Sequence, residues 1–311
     1  MRVERTRSCA ITADGSERTI VAPTTPAVGD WVALVGEDVV GVLPRSSALT
    51  RIDPDEVRVQ TLAANVDLVI ITVPADRPSP ARIDRELAIA WASGAQPMVT
   101  LTKGDLAPPG LVASLTARLG KLDVAFTSAK HGDGIDDLRR LLAPNRTAVL
   151  LGPSGAGKST LANVLIGTDA LATGAVRTDR RGRHTTTSRQ LVIVPSGGVI
   201  IDTPGVRSLA LADDSIEQVF PEIATLVVAC RFTDCSHTSE PGCAVVSALA
   251  AGRINRDRLA RYRKLIASAP SRTVTQPRSH RGHGTRRHER PPSIDDAIDD
   301  ALDDALDDLS D

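Results

Sequence analysis

Aromatic side chains are scarce in this chain of 311 residues, which has three phenylalanines, two tryptophans and one tyrosine. So few rings exclude base stacking as the main way of holding a nucleic acid. No run of 18 or more apolar residues occurs, so no membrane span is expected. The first residues, MRVERTRSCA, lack the apolar core of a secretion signal, and a cytoplasmic protein is expected. Cysteine is rare, with four in all, which excludes a disulfide scaffold. A net charge also is nearly absent, at -1 from 37 Lys and Arg against 38 Asp and Glu. That balance hides a split. Residues 253–290 hold twelve Lys or Arg against Asp257 and Glu289, a net of +10, whereas residues 295–311 hold nine Asp and no cation. Adjacent blocks of opposite sign mark interaction tails rather than core, and the basic one suits a polyanion.

The length and an apolar share of 41% fit two or three compact units. Residues 1–60 read as short strands, with VGDWVAL (28–34) and VVGVLP (39–44) joined as a hairpin, and predict a small barrel. From residue 61 strands and helices alternate. LVIITV (68–73), MVTLT (98–102) and VAFTSA (124–129) read as strands, separated by a helix carrying Ile83, Leu87 and Ala90 and another over 111–120. A helix over 135–142 and a strand over 148–152 follow, which predicts a parallel sheet with helices on both faces over 61–220. A Cys/His module is expected over 221–270, with a basic helix over 254–268 whose Arg256, Arg258, Arg261, Arg263 and Lys264 suit RNA phosphates. The same helix suits packing through Ile254, Leu259, Tyr262 and Ile266. Residues 271–311 predict a disordered tail, basic and then acidic.

The chemistry-bearing motifs begin with Gly152, Pro153, Ser154, Gly155, Ala156, Gly157, Lys158, Ser159 and Thr160, which fit the phosphate-loop pattern between a strand and a helix. Backbone N–H groups wrap phosphates there, Lys158 reaches the β- and γ-oxygens, and Ser159 suits Mg²⁺. Asp202-Thr-Pro-Gly205 closes the strand GGVII; Asp202 suits the Mg²⁺ shell and the Gly205 N–H the γ-phosphate. Thr102, Lys103, Gly104 and Asp105 end one strand, and Ser128, Ala129 and Lys130 follow the next. A carboxylate there accepts from guanine N1–H and N2–H₂, which adenine cannot offer, while the Lys103 stem packs over the ring and the SAK turn contacts the guanine oxygen. The base motifs precede the phosphate loop, and Thr185, Thr186 and DTPG follow it. This is a GTPase set in rotated order, and every loop still falls on the carboxyl rim of the sheet.

Cys230, Cys235, His237 and Cys243 supply three thiolates and one imidazole, a closed tetrahedral set for one structural Zn²⁺. Cys9 stands apart as an ordinary thiol.

These motifs, with VGDWV (28–32), ANVDLV (64–69), RGRHTTT (181–187) and DTPGVRSL (202–209), resemble the ribosome small-subunit-dependent GTPase A family over roughly residues 26–268. The resemblance implies a multi-domain protein with an N-terminal OB-fold β-barrel, a circularly permuted α/β P-loop GTPase domain and a mostly helical C-terminal zinc-binding domain. It further implies GTP hydrolysis with Mg²⁺, slow alone and stimulated by the small (30S) ribosomal subunit. It implies late maturation of that subunit and contacts with rRNA, by a monomer. Two departures stand out: Thr102 replaces the usual Asn, and the charged tail is long. Val206 stands where Ras-like enzymes carry glutamine; His184 either replaces that glutamine or only positions Thr185 and Thr186 for Mg²⁺. A rival from another class is a nucleotide-binding RNA scaffold without turnover, and an ATPase or kinase is disfavoured by TKGD and SAK. The tail repeat IDDAIDDALDDALDDL suits an RNA mimic lying over the basic block, or a merely solubilising end.

Overall fold

In a computed structural model of the chain, residues 6–12, 16–22, 26–52, 59–143, 145–167, 190–202, 209, 211 and 213–269 are described. The expected tail, the RGRHTTT stretch and most of DTPGVRSL lie outside them.

The N-terminal strands β1 (Thr6–Ile11), β2 (Glu17–Ala22), β3 (Val32–Val35) and β4 (Asp38–Val42) form one sheet in the order β1-β2-β4-β3. The hairpin joining β3 and β4 turns at Gly36, whose φ of 64° suits a residue without Cβ. Strands β5 (Ala48–Ile52) and β6 (Val59–Ala64) form a second, two-stranded antiparallel ladder, and Arg51 of β5 makes a single bridge to Leu209. The described strands therefore make two separate ladders, and the expected boundary after residue 60 falls inside β6. Leu49, Leu62 and Ala63 of this pair are buried in the core of the next unit, which ties the ladder to it.

That unit holds β7 (Leu68–Pro74), α1 (Pro80–Ala92), β8 (Gln96–Thr102), α2 (Leu111–Leu119), β9 (Val124–Phe126), α3 (Ile135–Leu142), β10 (Thr147–Leu151), α4 (Lys158–Ile166), β11 (Gln190–Ile193) and β12 (Val199–Asp202). The sheet order is β11-β12-β10-β7-β8-β9, all parallel except β11. Every residue of β7 is buried, as expected of a strand covered on both faces. Alternation sorts the side chains. Val69, Ile71, Val99, Val149 and Ile201 face α1, with its Ile83 and Leu87. Ile70, Met98, Leu150 and Ile200 face α3 and α4, with Leu138, Leu142 and Leu165.

Helices α5 (Asp213–Val219), α6 (Pro221–Val227), α7 (Ala244–Ala250) and α8 (Arg256–Ser268) continue the α1 side of this core without a break. Phe220 and Tyr262 meet edge to face at 5.5 Å. Asn255 starts α8 by accepting from Asp257 N and Arg258 N. Its buried stripe is Leu259, Tyr262 and Leu265; Ile266, expected inside, is 39% exposed, because the helix turns the i+3 and i+6 positions from Leu259 toward the core.

Three of the cations expected to face RNA turn inward. Asp84 of α1, 1% exposed, accepts from Arg118 at 2.6 Å, Arg261 at 2.7 Å and Arg258 at 3.3 Å. Arg258 also pairs with Glu222 and lies 4.1 Å over the Phe220 ring. Arg263 donates to His237 O. Arg256 and Lys264 remain exposed.

Candidate nucleotide site and metal knuckle

The carboxyl ends of β7, β8, β9 and β10 meet at one rim of the sheet. Strand β10 runs into Gly152 at φ 149°, where a Cβ would lie 2.1 Å from Thr72 Oγ1 and 2.7 Å from Thr72 O. Only glycine lets the loop leave the strand this close to β7. Gly157 (φ 87°) then caps α4, so the loop's last N–H groups and the helix N-terminus point the same way. Lys158 Nζ donates to Gly152 O at 2.9 Å and Pro153 O at 2.8 Å, which folds the ammonium back over the loop. Ser159 and Thr160 lie in the first turn of α4.

The base motifs are stitched to this loop. Thr102, at the end of β8 and 4% exposed, donates Oγ1–H to Ala156 O at 2.5 Å. Thr102 is thus a direct brace between base motif and phosphate loop, in the place where the resemblance led us to expect Asn. Lys103 is left-handed (φ 53°, ψ 45°), a conformation uncommon for a residue with a Cβ and one that functional sites concentrate. A 3-10 turn over Gly104–Leu106 follows and presents Asp105, whose Oδ1 accepts from Ser128 Oγ at 3.1 Å. Gly104 is required here, because a Cβ would enter the Phe126 ring at 2.4 Å. The turn holding Ala129 and Lys130 is closed by Gly132 N donating to Ser128 O at 2.8 Å. Strand β12 brings the backbone of Asp202 alongside β10. The Asp202 side chain, His184, Thr185, Thr186, Gly205 and Val206 lie outside the described residues.

A pocket of about 240 Å³ opens beside the phosphate loop, lined by Thr72, Arg82, Ile83, Glu86, Ser154 and Gly155 among others. Sequence reasoning missed Glu86. The signal was available: Glu86 falls three residues after Ile83 on the apolar stripe of α1. It is 8% exposed, and burial pushes its carboxyl up to about 7 against the pull of Arg82, Lys158 and Arg85.

The Cys/His cluster comes together beyond the sheet. The ligand atoms of Cys230, Cys235, His237 and Cys243 all lie within 4.8 Å of one another. Sγ of Cys230 is 3.8 Å from Sγ of Cys243 and 3.5 Å from His237 Nδ1; Cys243 Sγ to Nδ1 is 3.7 Å. A tetrahedral centre with metal–sulfur of about 2.3 Å and metal–nitrogen of about 2.0–2.1 Å has S–S edges of about 3.8 Å and S–N edges of about 3.5 Å. The four residues therefore fit a closed metal site. Burial lowers the His237 pKa and favours the neutral imidazole that ligates. His237 is itself left-handed (φ 60°), and Glu240 braces the loop by accepting from Ser236 N, Thr238 N and Ser239 N. Its hydrogen bond from the Ser236 hydroxyl, before any other cause, holds the Glu240 carboxylate well below the usual range.

Taken together, a glycine-cradled phosphate loop braced to a guanine-type base motif, on a parallel sheet whose base strands precede the loop in the chain, defines a GTPase of permuted strand order. Comparison with known proteins agrees. The model of the RsgA GTPase family matches residues 42–212. The small ribosomal subunit biogenesis GTPase RsgA of Streptomyces coelicolor is 45% identical over 86% of this chain and 78% of its own length. The protein of the same name from Xanthomonas axonopodis pv. citri is 40% identical over 94% of this chain and 87% of its own. Among solved structures, YjeQ from Thermotoga maritima aligns with a TM-score of 0.59 and 27% identity, over 80% of this chain and 90% of that one. YloQ, described as a circularly permuted GTPase, aligns at 0.58 and 25%, over 85% and 90%. The chain belongs to the RsgA GTPase family.

Proposed function

We propose that this chain hydrolyses GTP to GDP and phosphate as a switch in late maturation of the small ribosomal subunit. The observation that carries the reading is the 2.5 Å bond from Thr102 to Ala156 O, which locks the base motif onto the phosphate loop as one guanine-nucleotide site. Lys158 and the loop N–H groups take the phosphates; Lys103, Asp105 and the Ser128–Lys130 turn take the base. Mg²⁺, held by Ser159, Asp202, Thr185 and Thr186, would neutralise charge on the β- and γ-oxygens. His184 either orients water or holds those threonines. The GTP-bound form docks on the subunit and hydrolysis releases it.

Three thiolates and an imidazole suit one structural Zn²⁺, with no position left for a reacting water. The N-terminal sheet, on which Trp31 is 55% exposed, and the exposed Arg253, Arg256 and Lys264 of the knuckle module supply the rRNA contacts. With three α8 arginines committed inside the protein, those contacts are fewer than the bare charge count suggests. They weaken with salt. Competition binding tests the site: GTP displaces a labelled guanine nucleotide and ATP does not. Asp105→Asn shifts preference toward xanthosine triphosphate, whose 2-oxo group accepts from the amide. Equal affinity for ATP and GTP rules the reading out.

A further inference from the structure

Gly104 and Phe126 are matched to each other, small against large. Gly104 opens a 3-10 turn, and its φ is not in the left-handed region, so its conformation does not call for glycine. Space does. A Cβ there would lie 2.4 Å from Cζ of Phe126 and 2.7 and 2.8 Å from the two Cε atoms, so the tip of the ring rests against the turn. The turn has little else to rest on. Asp105 and Leu106 are exposed, and Lys103 before them is held in the left-handed region at φ 53°. Gly104 N donates to Thr127 O at 2.9 Å, and Ser128 Oγ donates to Asp105 Oδ1 at 3.1 Å. Such bonds fix the distance of the turn from β9 and leave its tilt to the group packed against it. The backbone beneath the ring is firm. Thr127 N donates to Leu101 O at 2.7 Å, and a Cβ on Gly134 would come within 2.0 Å of Phe126 O. Phe126 is 37% exposed, so burial in the core does not account for a phenyl ring at this strand end.

We propose that Phe126 is a positioning residue for base selection: its ring props the turn over Gly104–Leu106 and so sets where the Asp105 carboxylate meets the guanine edge. This rests on the guanine-nucleotide reading above. The ring acts through Gly104 and not on the nucleotide. Guanine donates from N1–H and N2–H₂, and a carboxylate accepts both only when its plane lies along that edge. A small tilt of the turn therefore costs this pair of bonds before it costs phosphate binding. Inosine triphosphate lacks the 2-amino group and offers N1–H alone. The ratio of GTP to ITP affinity thus reads the placement of Asp105, whereas a loss of folded protein lowers both affinities alike. A Cβ added at Gly104 must push the ring outward or lift the turn, and either movement separates them. A shorter leucine at position 126 leaves room for that Cβ and renews the contact.

The test is competition binding of GTP, ITP and ATP to the full chain with Mg²⁺, for wild type, Phe126→Ala, Gly104→Ala, and Gly104→Ala combined with Phe126→Leu. Phe126→Ala should weaken GTP by about tenfold, the scale of one hydrogen bond to a charged group, and ITP much less. Gly104→Ala should do the same. The combined variant should recover most of the GTP-to-ITP ratio, so the two changes are not additive. A wild-type ratio in Phe126→Ala overturns the proposal, and so does an equal loss of GTP and ITP, which marks a purely structural part. Additive losses in the combined variant overturn it as well. Should Phe126→Ala fail to fold, Gly104→Ala and the combined variant decide alone. A wild-type chain that binds ATP or ITP as tightly as GTP would instead overturn the guanine reading.

Discussion

The phosphate-loop motif and the Cys/His knuckle are both short motifs whose residue types suit a charged guest, but they are built from opposite materials. The loop is made of backbone. Gly152 at φ 149°, Gly155 at 75° and Gly157 at 87° set the direction of its N–H groups. The knuckle is made of side chains, with the ligand atoms of Cys230, His237 and Cys243 3.5–3.8 Å apart, and its backbone is braced by Glu240 within the loop and by Arg263 from α8. A backbone site tolerates no Cβ where the chain approaches β7. A side-chain site tolerates changes around it and none among its four ligands.

The largest effect is expected at a ligand. Cys243 is 2% exposed, sits in the core shared with the sheet, and starts α7 by accepting from Val246 N at 3.4 Å. Cys243→Ser should release the bound metal and loosen residues 221–268, because apparent metal-binding energies of about 10–16 kcal/mol in small structural zinc modules are also folding energy. Metal analysis should give about one ion per wild-type chain and well under one for the variant, and hydrogen exchange should speed up over α7 and α8. GTP binding should survive, since no knuckle residue reaches the phosphate rim. Simultaneous loss of GTP binding would show that the two sites are one folding unit and erase the contrast.

How much of this was legible beforehand follows the same division. The loop before Lys158, the turn that presents Asp105 and the gathering of Cys230, Cys235, His237 and Cys243 were readable because each motif demands particular atoms at fixed local spacing. The helix over 135–142 was readable because Ile135, Leu138 and Leu142 repeat with the helical period, and α3 spans those residues. Pairing across long separations was not. Residue 60 looked like a boundary because short strands give way there to alternating strands and helices, but Leu62 and Ala63 pack with Leu49 into the next core, and β6 spans that position. The strand over 124–129 stops at Phe126, where the turn with the base motif takes over. Arg258 and Arg261 lay on a basic face with no visible partner; the carboxylate they serve is Asp84, far back in the sequence. Nothing local marks a contact of that kind.

Asp84 ties α1 to α2 and α8, and it supplies the next test. Two buried acids sit two residues apart on α1: Glu86, whose Oε2 has no hydrogen-bond partner among the described residues, and Asp84, clasped by Arg118, Arg258 and Arg261. Asp84→Asn keeps the shape and removes the only charge these three guanidiniums share. Stripping one partner from a buried pair costs about 3–5 kcal/mol. Urea unfolding should show the midpoint falling, with α8 losing exchange protection before β7 does. Equal stability of variant and wild type would mean that solvent, and not Asp84, satisfies these arginines.

The smallest effect is expected at Thr102, and it bears on how far a backbone-built site depends on side chains at all. Thr102 Oγ1 donates to Ala156 O at 2.5 Å and approaches Val73 O at 3.4 Å, so one hydroxyl ties β7, β8 and the phosphate loop together. Thr102→Val keeps the volume and the β-branched shape while deleting the donor. Ala156 O, inside the loop, then loses its partner, at about 1–3 kcal/mol. Part of that falls on folding and part on nucleotide binding, because the loop must stay in register with Asp105. GTP affinity should drop by about tenfold, equivalent to about 1.4 kcal/mol, with guanine preference kept. Thr102→Asn restores a donor, and should recover most of the loss if the hydrogen bond rather than the methyl group is what matters. Should Val bind GTP as tightly as Thr, the glycine conformations alone hold the loop, and the base motif is attached to it only by packing.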